Sequence, residues 1–287
     1  MAGRSNSSYK LIRLNYPKGL FVNRKETIFV ADTAKRRIMK YTLNNMVGRQ
    51  ISCKNISGYG PSELGQPSDV IFDKYSKSLI ISDTQNRRVL QWFPNKKTKI
   101  LIKNIACSGL AIANDGSFYV CDTEKHRVVR YQMHDHRKTV VAGDHGQGSR
   151  LKQLNHPTYV FVGPSESVYV SDSGNDRVVK WDKGASVGVL VAGGKGKGRG
   201  QSQLDYPMGL IVDQLGTIYV ADHQNHRVMR WRKNASCGEL IAGDKHLAGD
   251  ASGHLNGPDD LMFDSDGNLY VADSNNNRIQ RFDIDTT

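Results

Sequence analysis

Short apolar runs, rather than helical stretches, carry the hydrophobicity of this chain. Six of them end on a small residue followed by Asp: Phe29-Val30-Ala31-Asp32, Ile80-Ile81-Ser82-Asp83, Tyr119-Val120-Cys121-Asp122, Tyr169-Val170-Ser171-Asp172, Tyr219-Val220-Ala221-Asp222 and Tyr270-Val271-Ala272-Asp273. Upstream of each lies a second run, which starts at Pro17, Pro67, Cys107, Pro157, Pro207 or Pro258. Turn signals such as Asn114-Asp115-Gly116 and Asp264-Ser265-Asp266-Gly267 separate the two. Two β-rich runs around such a turn predict a hairpin. No segment sustains a helical period.

The runs recur in a fixed frame. Five residues after each Asp stands an Arg (Arg37, Arg88, Arg127, Arg177, Arg227, Arg278), and four residues later an aromatic (Tyr41, Trp92, Tyr131, Trp181, Trp231, Phe282). The Arg-to-aromatic segment supplies a third strand, and runs such as Ile100-Leu101-Ile102 and Val189-Leu190-Val191 supply a fourth. Four strands per repeat of roughly 40–50 residues, repeated radially, predict an all-β, six-bladed β-propeller of four-stranded antiparallel blades. The whole chain, 1–287, is read as one propeller domain. Its repeats lie at about 16–53, 66–104, 107–143, 156–193, 206–243 and 257–284. The last repeat stops after three strands. Residues 8–14 are therefore expected to pair onto it as its outer strand and remove an open sheet edge.

The Pro-x-Gly-Leu, Tyr-Val-Ala-Asp and Asn225-His226-Arg227-Val228 segments, together with Gln-Leu-x-x-Pro at Gln153–Pro157 and Gln203–Pro207, resemble the NHL-repeat family. Lys35-Arg36-Arg37-Ile38 departs from its Asn-x-Arg pattern. The resemblance covers Leu11 to Ile284 and implies six blades. It does not fix an activity, because the family's functions are diverse. One relative it brings in is an amidating lyase, whose metal ligands are channel histidines. The corresponding positions here, Lys18, Ser68, Ser108, Thr158, Met208 and Asp259, hold none.

Composition adds a charge. With 40 Lys and Arg against 28 Asp and Glu, the net charge is +12, which favours an acidic partner. Cys53, Cys107, Cys121 and Cys237 lack metal-ligand spacing. A Cys107–Cys121 bridge is conceivable, as both should lie near one end of a hairpin. No apolar run reaches membrane-spanning length, and Met1 to Lys10 lacks the apolar core of a signal peptide, so a cytoplasmic location without membrane insertion is expected.

Candidate chemistry divides in two. The repeated pairs Asp32–Arg37, Asp83–Arg88, Asp122–Arg127, Asp172–Arg177, Asp222–Arg227 and Asp273–Arg278 read as fold-building, since a catalytic site needs one asymmetric constellation. Function is expected where the copies differ, on the face shared by the Asp-to-Arg turns and the junctions between blades. There stand Arg36, Arg87, Lys125, Arg150, Lys195, Lys197 and Arg199, with Tyr159 as an aromatic candidate. The Gly193–Gly200 run is not a nucleotide phosphate loop, as no Lys-Ser/Thr and no helix follow it.

The resulting expectation is a non-catalytic scaffold that binds a protein through this face and needs no catalytic residue, cofactor or metal. Single-stranded RNA is the alternative ligand, and nothing points to DNA. A third reading is a channel lyase or lactonase-like enzyme. It would use zinc at His223 and His226, or calcium at Asp69, Asp259 and Asp260.

Overall fold

The computed structural model describes residues 14–23, 27–42, 48–51, 60, 63–95, 97–133, 137–244 and 247–284. β-Branched and aromatic residues fill the second strand of each blade, which is buried along its whole length in Thr27–Asp32, Ser78–Asp83 and Ile218–Asp222. Such strands are sandwiched between neighbouring blades on both sides. That is why their sequences are continuous apolar runs and not alternating ones. Outer strands such as Val189–Gly193 are largely exposed.

Six sheets form the ring, five of four strands and one of three among the described residues, all antiparallel with neighbours in sequence order. The three-stranded sheet is the last blade, Pro258–Phe263, Leu269–Asp273 and Arg278–Phe282. Residues 8–13, expected to complete it, lie outside the described residues; Leu14 is buried against Tyr270, Ala272 and Ile279 of that blade. The apolar core consists of six clusters, each at the seam between two consecutive blades, with one closing blade six against blade one. The aromatic that follows each Arg is buried in one of these seams, Trp181 and Trp231 among the most deeply.

The inner strands surround the axis. Each runs from the end of the ring that carries the Asp-to-Arg turns (the turn face) to the end that carries the first hairpin turns (the hairpin face). In four blades a one-turn 3-10 helix follows the Asp and closes on a left-handed, non-glycine residue: Arg36, Arg87, Asp176 or Asn277; in a fifth that residue is His226.

The Asp and Arg lock each blade to the junction that precedes it. In blade five, Asp222 Oδ2 accepts from Arg227 Nε at 2.7 Å and from Asn225 Nδ2, while Oδ1 accepts from the Asp205 N–H. The remaining Arg227 nitrogens donate to the carbonyls of Arg199, Gly200 and Gln203. Arg177 does the same with Ser149, Arg150 and Gln153, and Arg278 with Asp250, Ala251 and His254. Blade three departs. Its junction is only 104–106, so Arg127 lacks such a loop, sits 3.3 Å from Asp122 and turns a second nitrogen to Asp144.

Removing one partner of a buried pair strands the other, at about 3–5 kcal/mol. Asp222→Ala is expected to lower unfolding free energy by about that amount in urea titration. Asp122→Ala should cost under half as much, because Arg127 keeps Asp144 and is partly exposed. Equal costs would contradict this account of the junction clamp.

Candidate functional site in and around the central channel

Each inner strand carries a register irregularity two or three residues after its first residue. A bulge re-aims the side chain beside it. The residues so placed form a ring in chain order: Gly19, Asp69, Gly109, Tyr159, Gly209, Asp260. Glycine alternates with a larger residue because neighbouring inner strands approach closely there. A Cβ on Gly19 would lie 2.5 Å from Asp69 Cα, on Gly109 2.7 Å from Tyr159 Cα, and on Gly209 2.6 Å from Asp260 Cα.

The two acids of the ring act as struts between blades. Asp69 accepts the N–H of Leu110 in the next blade at 2.7 Å and that of Val70 at 2.7 Å. Asp260 accepts the N–H of Leu20 in blade one, and that of Leu261, each at 2.8 Å. The Tyr159 hydroxyl is buried with no hydrogen-bond partner among the described residues. Toward the hairpin face the channel widens into a cavity of about 180 Å³. Its walls are apolar, including Phe21, Phe161, Ile211 and Met262, and Asp69, Tyr159 and Asp260 form its polar inner end.

The turn-face mouth has different chemistry. After the repeat Asp, most blades place a hydroxyl that donates to the first carbonyl of the next inner strand, as Thr33 does to Pro67 and Thr84 to Cys107. Blade five has His223 instead, with Nδ1 3.2 Å from Pro258 O and 3.4 Å from Asp259 Oδ1. Beside it, the Tyr206 hydroxyl lies 3.1 Å from His156 Nδ1.

The left-handed turn residues staple the ring. His126 Nδ1, Asp176 Oδ1, His226 Nδ1 and Asn277 Oδ1 accept the N–H of His156, Tyr206, Gly257 and Tyr16 in the following blade, at 2.8 to 3.0 Å. Arg36 and Arg87 hold the same position and cannot accept a hydrogen bond; Arg87 pairs with Glu124 instead.

The pattern of the SMP-30/gluconolactonase/LRE-like region matches residues 69–287. The chain belongs to this family. No curated protein matches the sequence. Among solved structures, a Bacteroides thetaiotaomicron protein of unknown function superposes with a TM-score of 0.76 at 14% identity, over 98% of this chain and 72% of that one. An auxiliary nutrient binding protein from Bacteroides ovatus gives 0.74 at 14% identity, over 94% and 69%. A streptogramin B lyase gives 0.64 at 10% identity, over 97% of both chains. These likenesses establish the fold.

Within this SMP-30/gluconolactonase/LRE-like propeller the sequence candidates fall in different places. Lys125, Arg87, Arg150, Lys195, Lys197 and Arg199 are exposed on the turn face and Arg36 is half-buried there. Lys197 reaches Asp205 at 3.1 Å. Tyr159 is not on that surface. It is 5% exposed, because the bulge aims it into the channel against Gly109, so it cannot serve there as a stacking platform.

The conceivable Cys107–Cys121 bridge does not form. Both thiols are free and buried, and Cys107 Sγ donates to Arg88 O. The Nδ1 atoms of His223 and His226 are engaged with Pro258 and Gly257, and no third ligand joins the two rings among the described residues. Calcium does not fit Asp69 and Asp260 either. Asp259 faces His223 Nδ1 at 3.4 Å, and the apolar walls around Asp69 and Asp260 offer little toward the six to eight oxygens that calcium takes. Among the described residues no three His, Cys, Asp or Glu side chains gather to hold a metal ion.

Burial pushes Asp69 up to about 7, outweighing the two N–H donors, and raises Asp260, which also feels the charge of Asp69. Both acids bind a proton more tightly folded than unfolded. Between about pH 4 and 7 the native state therefore holds more protons, and stability falls as pH rises. The Tm is expected to drop by at least about 2 °C from pH 5 to 8. Asp69→Asn should flatten that drop, and an unchanged slope in the variant would refute the assignment.

Proposed function

We propose that this propeller is a non-catalytic, NHL-type binding module that recognises an acidic protein surface through its turn face. The observation that carries the reading is a pair of matching junction loops, 145–155 and 195–205, between blades three and four and blades four and five. Each is fixed from within. Leu154 and Leu204 are fully buried, Gly148 and Gly198 donate to their carbonyls, and Gln153 and Gln203 bond back to the carbonyls of His145 and Lys195. Arg177 and Arg227 hold the same loops from below. Arg150, Lys195, Lys197 and Arg199 thus project from rigid backbone, so little loop entropy is lost when a partner docks.

Protein is favoured over RNA on two grounds. Asp144, Asp176 and Asp205 interleave with the cations, a mixed pattern that suits a protein face better than a phosphate backbone. The aromatic platforms are also engaged: Tyr159 lies in the channel and Tyr206 is half-buried beside His156. A metal-dependent channel enzyme is disfavoured by the apolar walls around Asp69 and Asp260, which offer few further oxygens. Other propellers of this shape are described as binding, among them a nutrient binding protein and one of the chains in a nidogen/laminin complex.

Fluorescence anisotropy with a labelled Glu-rich peptide and a U-rich RNA of equal charge tests the reading. The peptide is expected to bind in a salt-dependent manner. Replacing Arg150, Lys195, Lys197 and Arg199 together by Glu should weaken it at least about tenfold without altering the Tm. Tighter binding of the RNA, with loss in the same variant, would replace the protein reading by the RNA one. Indifference of both probes to the variant would remove the turn face as the site.

A further inference from the structure

The cavity on the hairpin side lies at the opposite end of the channel from the turn face, and binding at the turn face does not use it. Its walls and its inner end differ in chemistry. The walls are apolar, and Phe21, Phe161 and Met262 are partly exposed, so the cavity is reachable from solvent. Apolar cavities on this order of size take up a benzene ring.

The inner end holds two carboxyl groups, Asp69 and Asp260, with no Lys or Arg among the residues that line the cavity. The other titratable groups that bear on this layer are Asp259, Cys121 and Tyr159, and none of them is a cation. Acids alone would not define a ligand site. The second observation is Tyr159, 5% exposed, whose hydroxyl has no hydrogen-bond partner among the described residues and which lines the same cavity. A buried hydroxyl without a partner costs stability, so its retention here asks for an occupant.

We propose that this half of the channel is a binding site for a small primary amine with an aromatic or aliphatic body, the ammonium held by Asp69, Asp260 and the Tyr159 hydroxyl. An ammonium has three donors and no acceptor, which matches two carboxyl groups that each retain accepting capacity beyond one backbone N–H per oxygen, and one idle hydroxyl. The body of the ligand fills the apolar half toward the hairpin face. A bare divalent cation would find too few oxygens there, whereas an ammonium needs only three contacts. Because burial raises Asp69 to about 7, it still carries a share of a proton near pH 7, and seating the ammonium favours the ionised form and expels that proton.

Isothermal titration of the full chain with phenethylammonium chloride tests this, with 2-phenylethanol as the uncharged isostere and calcium chloride as the bare cation. Phenethylammonium is expected to bind one to one, at least about tenfold tighter than the alcohol. It should bind more tightly at pH 8 than at pH 6, and its heat should differ between phosphate and Tris buffers as the proton is released. Tyr159→Phe removes only the idle hydroxyl, so the Tm should hold while affinity falls about tenfold. Ile112→Trp, at a half-buried position of the apolar wall, should abolish binding while the Tm holds. Equal affinity for the alcohol, binding untouched by Tyr159→Phe and Ile112→Trp, or calcium binding that Tyr159→Phe weakens in place of the amine, would each overturn the proposal. No binding of phenethylammonium at millimolar concentration would overturn it as well. Turn-face substitutions should leave this titration unchanged, so the two sites fail or stand separately.

Discussion

A buried carboxylate that receives a guanidinium on one oxygen and a backbone N–H on the other is the contact on which this ring depends. The Asp ends the second strand, the Arg begins the third, and the N–H belongs to the junction that leads into the same blade. One acid therefore fixes a hairpin and the path of the chain arriving from the preceding blade. Burying it is costly: desolvation raises the pKa of Asp172 and Asp222 even beside their arginines. What the contact supplies is geometry. The Arg fork satisfies two or three loop carbonyls that would otherwise face the ring interior unpaired.

This geometry also determines where the molecule can vary. The seams are filled with side chains from two blades each, so a substitution there is felt by both. The junction loops are anchored at a buried Leu and clamped at their carbonyls, so their backbone path is set mainly from within the ring. The junctions that lead into blades four, five and six show this arrangement in its fullest form. Between blades two and three the junction shrinks to three residues, the Pro becomes Cys107, and the clamp loosens.

The fold was legible in the sequence because symmetry repeats the same pattern six times. An Asp, an Arg and an aromatic at constant offsets in six copies leave little choice but a radial array. The channel was harder to read, since its residues differ from blade to blade and their direction is decided by a bulge. Tyr159 looked like a surface aromatic because it stands where its neighbours carry Gly or Asp. Read as a column, though, Gly19, Asp69, Gly109, Tyr159, Gly209 and Asp260 already alternate in size. The staples had a similar signal, visible as His126, Asp176, His226 and Asn277 in one column where Arg36 and Arg87 break the pattern.

That column has a consequence for how such a ring can change over time. At mid-channel each glycine makes room for the bulky neighbour that follows it, so the unit is two blades and the axis is effectively threefold. A ring with an odd number of blades cannot keep such an alternation. Losing or gaining one blade would set two bulky residues side by side, or two glycines with a gap between them. Growth or shrinkage by blade pairs leaves the packing at the axis intact, so parity, more than size, is what this channel constrains.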